Sequence, residues 1–214
     1  MVDCKPMSMP LEAKIMSLDS DVLLDDPSFY QGIVGTLQYL TLTQPSISYI
    51  FNFVSQFMHA PTLSHLKMVR RILQYIKGTI HLGLDLTSHT TLDLCAFSDS
   101  DWAGCSTTRQ STTGYVTFLG HNPILWCAKK QNTVSPSSLE AKYRVMAHTT
   151  VEITWLTFIL KDLGVPQTHP SMLFYDNISA LLMTINPVFH ARSKHIELDY
   201  HFVPEKVALD LLDT

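Results

Sequence analysis

Apolar residues recur at three- and four-residue intervals between Pro27 and Gly78, and that spacing predicts a small all-helical unit. Phe29, Tyr30, Ile33, Val34, Leu37 and Leu40 form the first stripe. A second helix is expected from Ile47 to Met58, with Ile50, Phe51, Val54 and Phe57 on one side. Pro61-Thr62 opens a third, whose stripe is Leu66, Val69, Leu73 and Ile76 and which Gly78 ends. Lys67, Arg70, Arg71 and Lys77 fall on its other faces. Residues 1–27 carry prolines, turn signals and several aspartates with weak periodicity, and read as an extended arm.

After Gly83 the period shortens. Leu92–Ser98, Gly114–Leu119 and Ile124–Ala128 are β-type runs, separated by turn chemistry at Gly104, Gly120 and Asn122-Pro123. A long helix follows from Ser138 to Leu163, with Leu139, Tyr143, Met146, Ile153, Leu156 and Ile159 suited to packing on a sheet, and Gly164 and Pro166 end it. Ser171–Tyr175 reads as another strand, Ser179–Ile185 as a helix, and His195–Leu212 as a last helix interrupted near Pro204. Strands, a helix, a strand and further helices predict an α/β domain with a mixed α+β sheet. The expected organisation is an arm over 1–27, a helical segment over 28–83 and the sheet domain over 84–214.

Composition narrows the setting. With 46% hydrophobic and 16% charged residues, the 214-residue chain is globular rather than disordered. A net charge of −4 excludes indiscriminate nucleic-acid binding by the whole surface but leaves a local basic face open. Cys4, Cys95, Cys105 and Cys127 show no CxxC pair and no zinc spacing, so reduced thiols are expected. No apolar run approaches the roughly 18 residues of a membrane span, and no signal segment follows Met1. A cytoplasmic chain without a membrane partner is expected.

Three acids stand at the ends of these elements. Asp99 closes the first strand, Glu140 falls in the first turn of the long helix, and Asp176 follows the later strand. If the fold joins them, they are the residue types that hold Mg²⁺ for phosphodiester hydrolysis. Each also has a structural reading. Asp99 and Asp101 suit a turn after a strand. Glu140 stands three residues after Ser137, the spacing of a capping box. Asp176-Asn177 suits the cap of a following helix. Core packing is expected for Trp102, Trp126 and Trp155.

The run Phe97-Ser98-Asp99-Ser100-Asp101-Trp102-Ala103-Gly104-Cys105, with Ser111–Tyr115 after it, closely resembles the opening of the ribonuclease H domain in copia-type LTR-retrotransposon Pol polyproteins. Trp126–Gln131, Ser137–Tyr143, Asp176–Ala180 and Asn186–Glu197 resemble that family's later motifs in order, plant elements above all. Upstream, Tyr30–Leu40 and Arg71–Thr79 resemble the segment that joins reverse transcriptase to the nuclease. The resemblance implies a ribonuclease H-like fold and cleavage of the RNA strand of RNA–DNA hybrids. It assigns Asp99, Glu140 and Asp176 as catalytic metal ligands for two Mg²⁺ ions, with Mn²⁺ as a substitute. Asp99 is the better match than Asp101. It implies the reverse transcriptase portion of the polyprotein as partner. Separately, His190, His195 and His201 lie near Arg192 and Lys194 along the chain, so Arg192, Lys194 and His195 are candidate phosphate contacts, with surface or packing roles for the histidines left open.

Several positions depart from the family pattern. The family's fourth acid lies in a final helix after a fifth strand; at Thr214 that strand is expected not to have begun, which would leave the domain truncated before its last strand and helix. Glu197 and Asp199 fall on an earlier helix and read as solvated acids. Lys142 replaces an acid, and Pro136 and Pro204 stand where Arg is usual. No Tyr-x-Asp-Asp motif occurs, which excludes polymerase activity for these residues. Whether the chain is an enzyme is therefore left open between an impaired nuclease and an inactive retroelement remnant that binds nucleic acid or protein.

Overall fold

The computed structural model describes residues 4–11, 22–176, 197–208 and 212–213. The chain divides into two compact units, Met1–Leu84 and Asp85–Thr214.

The first unit is helical: α1 (Ser28–Leu40), a single 3-10 turn (Pro45–Ile47), α2 (Ser48–Ser55) and α3 (Leu63–Thr79). Tyr30, Val34 and Leu37 of α1, Ile50 and Val54 of α2, and Met68, Val69 and Ile72 of α3 bury one shared core. The Tyr30 hydroxyl is inside it and donates to the Val54 carbonyl at 2.7 Å, so the polar atom is buried with a partner. Thr62 caps α3 in a reciprocal box with His65, whose ring stacks on Phe57 at 3.7 Å between centroids. The segment 4–11 runs along α3. Met7 N–H donates to the Gln74 carbonyl, Arg71 Nε to the Met9 carbonyl and Lys77 Nζ to the Cys4 carbonyl.

The second unit carries the sheet, from β1 (Leu94–Asp101), β2 (Thr112–Leu119), β3 (Asn122–Lys130), β4 (Ser171–Phe174) and β5 (Leu212–Asp213). Their spatial order is β3-β2-β1-β4-β5. β1, β2 and β3 are antiparallel neighbours, while β1–β4 and β4–β5 pair in parallel. The parallel join of β1 to β4 needs a long crossover, which includes α4 (Ser138–Asp162). The fold is thus a mixed α/β sheet, as the alternation of periods predicts. The hairpin between β2 and β3 closes over Gly120, whose φ of +59° is open to glycine at no steric cost. A β-carbon there would meet the Thr91 carbonyl oxygen at 2.1 Å.

Tyr143, Met146, Ala147 and Ile153 of α4 pack on Ala96 and Leu173 of the sheet, joined by Leu212 and by Val203 of α5 (Glu197–Ala208). Two expectations change here. α5 continues through Pro204 to Ala208, and Leu212 pairs as strand rather than ending the helix. The fifth strand, expected to be wholly absent, has begun: Ser171 and Met172 pair with Leu212 and Asp213. Parallel ladder bonds to β4 and the buried Leu212 side chain hold that short stretch.

Candidate functional site

β1 alternates strictly. Leu94, Ala96, Ser98 and Ser100 are buried, whereas Cys95, Phe97, Asp99 and Asp101 occupy the other face. Asp99 pairs with Gly114 across the ladder, and its Oδ1 accepts from the Ser100 N–H at 2.7 Å. Asp176 lies just beyond β4, the parallel neighbour of β1. Both carboxylates meet one cation, the Lys142 ammonium of α4. Nζ stands 3.5 Å from Asp99 Oδ1 and donates a hydrogen bond to Asp176 Oδ1. The Lys142 side chain is 22% exposed, against 71% for Asp99 and 67% for Asp176, so its stem is the more enclosed and its ammonium reaches both acids. Its hydrogen bond to Asp176, together with the two negative charges, holds its pKa above the ordinary lysine value. The same bond holds the Asp176 carboxyl below its ordinary value.

Glu140 takes a different partner. Its N–H is capped by Ser137 Oγ at 3.2 Å, which is the serine half of the expected capping box. Its buried carboxylate binds Arg144 Nη2 one turn along α4 at 2.8 Å. Arg144 also donates to Thr133 Oγ1, fastening α4 to the loop after β3. Of the three acids named from sequence, the structure joins Asp99 and Asp176 through Lys142 and gives Glu140 to Arg144. Among the described residues, no three His, Cys, Asp or Glu side chains are grouped to hold a metal ion. As placed, with a lysine ammonium between the paired acids and a guanidinium on the third, these side chains do not fit a divalent ion.

Asp101 serves the turn. Its Oδ1 accepts from the Thr112 N–H of β2, and burial raises its pKa. Gly104 packs against that carboxylate so closely that a β-carbon would meet Oδ2 at 2.1 Å. Trp102 Nε1 donates to the Ser135 carbonyl at 3.0 Å, linking this turn to the loop before α4. The tryptophan expectation needs correction: Trp102 is 51% and Trp155 53% exposed, so neither is a core residue. Trp102 is held by its indole N–H rather than by burial, and Trp155 lies on an outer face of α4.

Arg192, Lys194, His195 and His190 lie outside the described residues. Sequence reasoning passed over a basic groove in this unit. It has a volume of about 690 Å³ and is lined by Lys129 and Lys130 of β3, Arg144 and His148 of α4, and Phe202 of α5. The two lysines sit inside the quoted Trp126–Gln131 run, but only the fold brings them to α4. Among the described residues, no helix is long and apolar enough to cross a membrane.

No family model matches the sequence. The chain is 47% identical over 208 residues to the retrovirus-related Pol polyprotein from transposon RE1 of Arabidopsis thaliana, covering 97% of this chain and 14% of that protein. It is 45% identical over 208 residues to the corresponding polyprotein from transposon RE2 of the same plant, again covering 97% of this chain and 14% of that one. A solved foamy viral protease–reverse transcriptase in complex with dsDNA superposes with a TM-score of 0.47 at 12% identity, over 94% of this chain and 39% of that chain. The chain thus spans a small part of the length of these Pol relatives, and over nearly all of its own length it belongs to the retrovirus-related Pol polyproteins of copia-type transposons.

Proposed function

We propose that the chain is the ribonuclease H-type portion of a copia-type Pol polyprotein, directed at RNA–DNA hybrids, with its hydrolytic activity weak or lost. The observation that supports this most is the meeting of two acids from parallel neighbouring strands, Asp99 and Asp176, on a single cationic point. Asp99 in β1, Glu140 in the first turn of α4 and Asp176 after β4 keep the order of acids that the resemblance assigns to the site, and the cation that meets the first and last of them is the Lys142 ammonium. The basic groove of Lys129, Lys130 and Arg144 offers phosphate contacts that are independent of base sequence. Arg192, Lys194 and His195 add to that role in this proposal. Hybrid recognition would rest on backbone and 2′-hydroxyl contacts. The reverse transcriptase portion of the same polyprotein is the proposed partner.

The second reading, an inactive remnant that binds nucleic acid or protein, is favoured by Lys142 standing between the acids. Cleavage of a labelled RNA–DNA hybrid in Mg²⁺, beside hybrid and duplex-DNA binding, tests both. Slow cleavage that Asp99→Asn abolishes is expected under the first reading, and preferential hybrid binding without cleavage under the second. Binding that does not distinguish hybrid from duplex DNA, with no cleavage, overturns the ribonuclease H-type assignment.

A further inference from the structure

We infer that Lys142 is the resident cation of the Asp99–Asp176 pair, and that its ammonium keeps divalent metal out of this site in the protein as it stands. The inference rests on the proposed function only in taking Asp99 and Asp176 as the site acids. The geometry carries it. Nζ hydrogen-bonds to Asp176 and stands 3.5 Å from Asp99, so one positive charge already serves both carboxylates. The lysine is the more enclosed member of the trio, at 22% exposure against 71% and 67% for the acids. Its enclosed stem and its contacts with both acids fix the ammonium at the pair.

The third acid cannot compensate. Glu140 is 6% exposed and its carboxylate is bound to Arg144 at 2.8 Å. Thus α4 supplies a cation to each acid that the proposed site uses, from positions two and four residues after Glu140. Mg²⁺ needs near-octahedral oxygen ligands at about 2.0–2.1 Å and sheds water reluctantly. To reach Asp99 and Asp176 together it must displace the ammonium or lie against it, and two like charges a few ångströms apart repel strongly. Two exposed carboxylates without a third donor give little in return. Replacing Lys142 by a neutral side chain removes the competitor and leaves both acids in place.

Titration calorimetry with Mn²⁺, with line broadening of backbone amides to locate the ion, tests this on the whole chain. Wild type and Lys142→Arg are expected to show no binding that depends on Asp99. Lys142→Gln is expected to bind at least about tenfold more tightly than wild type, and adding Asp99→Asn to it should abolish that gain. Two results would overturn the inference: wild-type binding that Asp99→Asn removes, or a folded Lys142→Gln variant that binds no better than wild type. Circular dichroism establishes that the variants are folded. If Lys142→Gln does not fold, the wild-type and Asp99→Asn titrations decide alone. Hybrid cleavage separates this idea from the ribonuclease reading. A Lys142→Gln protein that gains Mn²⁺ but neither binds nor cuts hybrid leaves the resident cation standing and removes the nuclease. Asp99-dependent cleavage by wild type in Mg²⁺ does the reverse.

Discussion

The two faces of the sheet are built from the same strands and behave differently. Towards α4, Ala96 and Leu173 are at most 1% exposed and pack with Tyr143, Met146 and Ile153, and Leu94 on the same face is equally buried. On the opposite face, Phe97 is 47% and Phe174 42% exposed, although their rings stack at 4.8 Å and Phe118 stands edge-on to Phe97 at 5.9 Å. Period-two alternation places residues on faces, but it does not say which apolar face will be covered. Burial is decided by the partner. α4 covers one face, while the other carries aromatic residues that pack chiefly on one another and ends at the acids.

The sharpest way to break this comparison is to remove a ring from the covered face. Tyr143→Ala takes a fully buried aromatic side chain from the α4–sheet core and is expected to cost about 3–5 kcal/mol. Urea unfolding followed by tryptophan emission measures this in the right unit, since Trp102, Trp126 and Trp155 all lie after Asp85. Phe97→Ala on the open face should cost only about 1 kcal/mol, the worth of its ring contacts and the partial burial they bring. A loss as large as that of Tyr143→Ala would mean that the open face is covered in solution.

The thiols sharpen the contrast without changing stability. Cys95 shares the face of Phe97, yet burial, with the Asp93 charge, raises its pKa; burial also raises that of Cys127. At Cys105 burial pushes the same way, but hydrogen bonds from Thr108 and Thr107 and the Lys130 ammonium, 3.6 Å from Sγ, outweigh it and bring the pKa to about 7. Only the thiolate alkylates, so reactivity rises with pH through each group's pKa. Iodoacetamide mapping should find Cys105 labelled with a midpoint near pH 7, and Cys95 and Cys127 only at clearly higher pH. Equal labelling of Cys95 at neutral pH would show that the open face is wetter than its packing indicates.

What the sequence revealed follows from how local each cause is. Ser137 and Glu140 announce the start of α4 because a cap is written within four residues. The run Phe97–Asp101 announces a strand end, but β1 extends through Ser100 and Asp101 because both pair with β2, and ladder bonds leave no trace in hydropathy. Pro204 signals an interruption by its missing N–H, yet α5 continues through it. Lys142 was visible as a departure from a family pattern. Its reach to Asp176, 34 residues further on, was not, since it depends on α4 crossing between parallel strands. The pairing of the Glu140 carboxylate with Arg144 was hidden for a similar reason: Thr133, in a separate loop, also binds that guanidinium. Trp102 looked like core because aromatic rings usually are, and a single indole hydrogen bond to Ser135 was enough to hold it at the surface.

The strap of residues 4–11 along α3 has a consequence for ionic strength. Of the four cations on that helix, Arg71 and Lys77 are occupied in fastening the strap to its carbonyls. Lys67 and Arg70 are exposed on the same helix. Two cations that each neutralised a phosphate would give a log–log salt slope of only about −2, so with Arg71 and Lys77 committed to the strap, any hold of α3 on a polyanion would be weak and readily screened by salt.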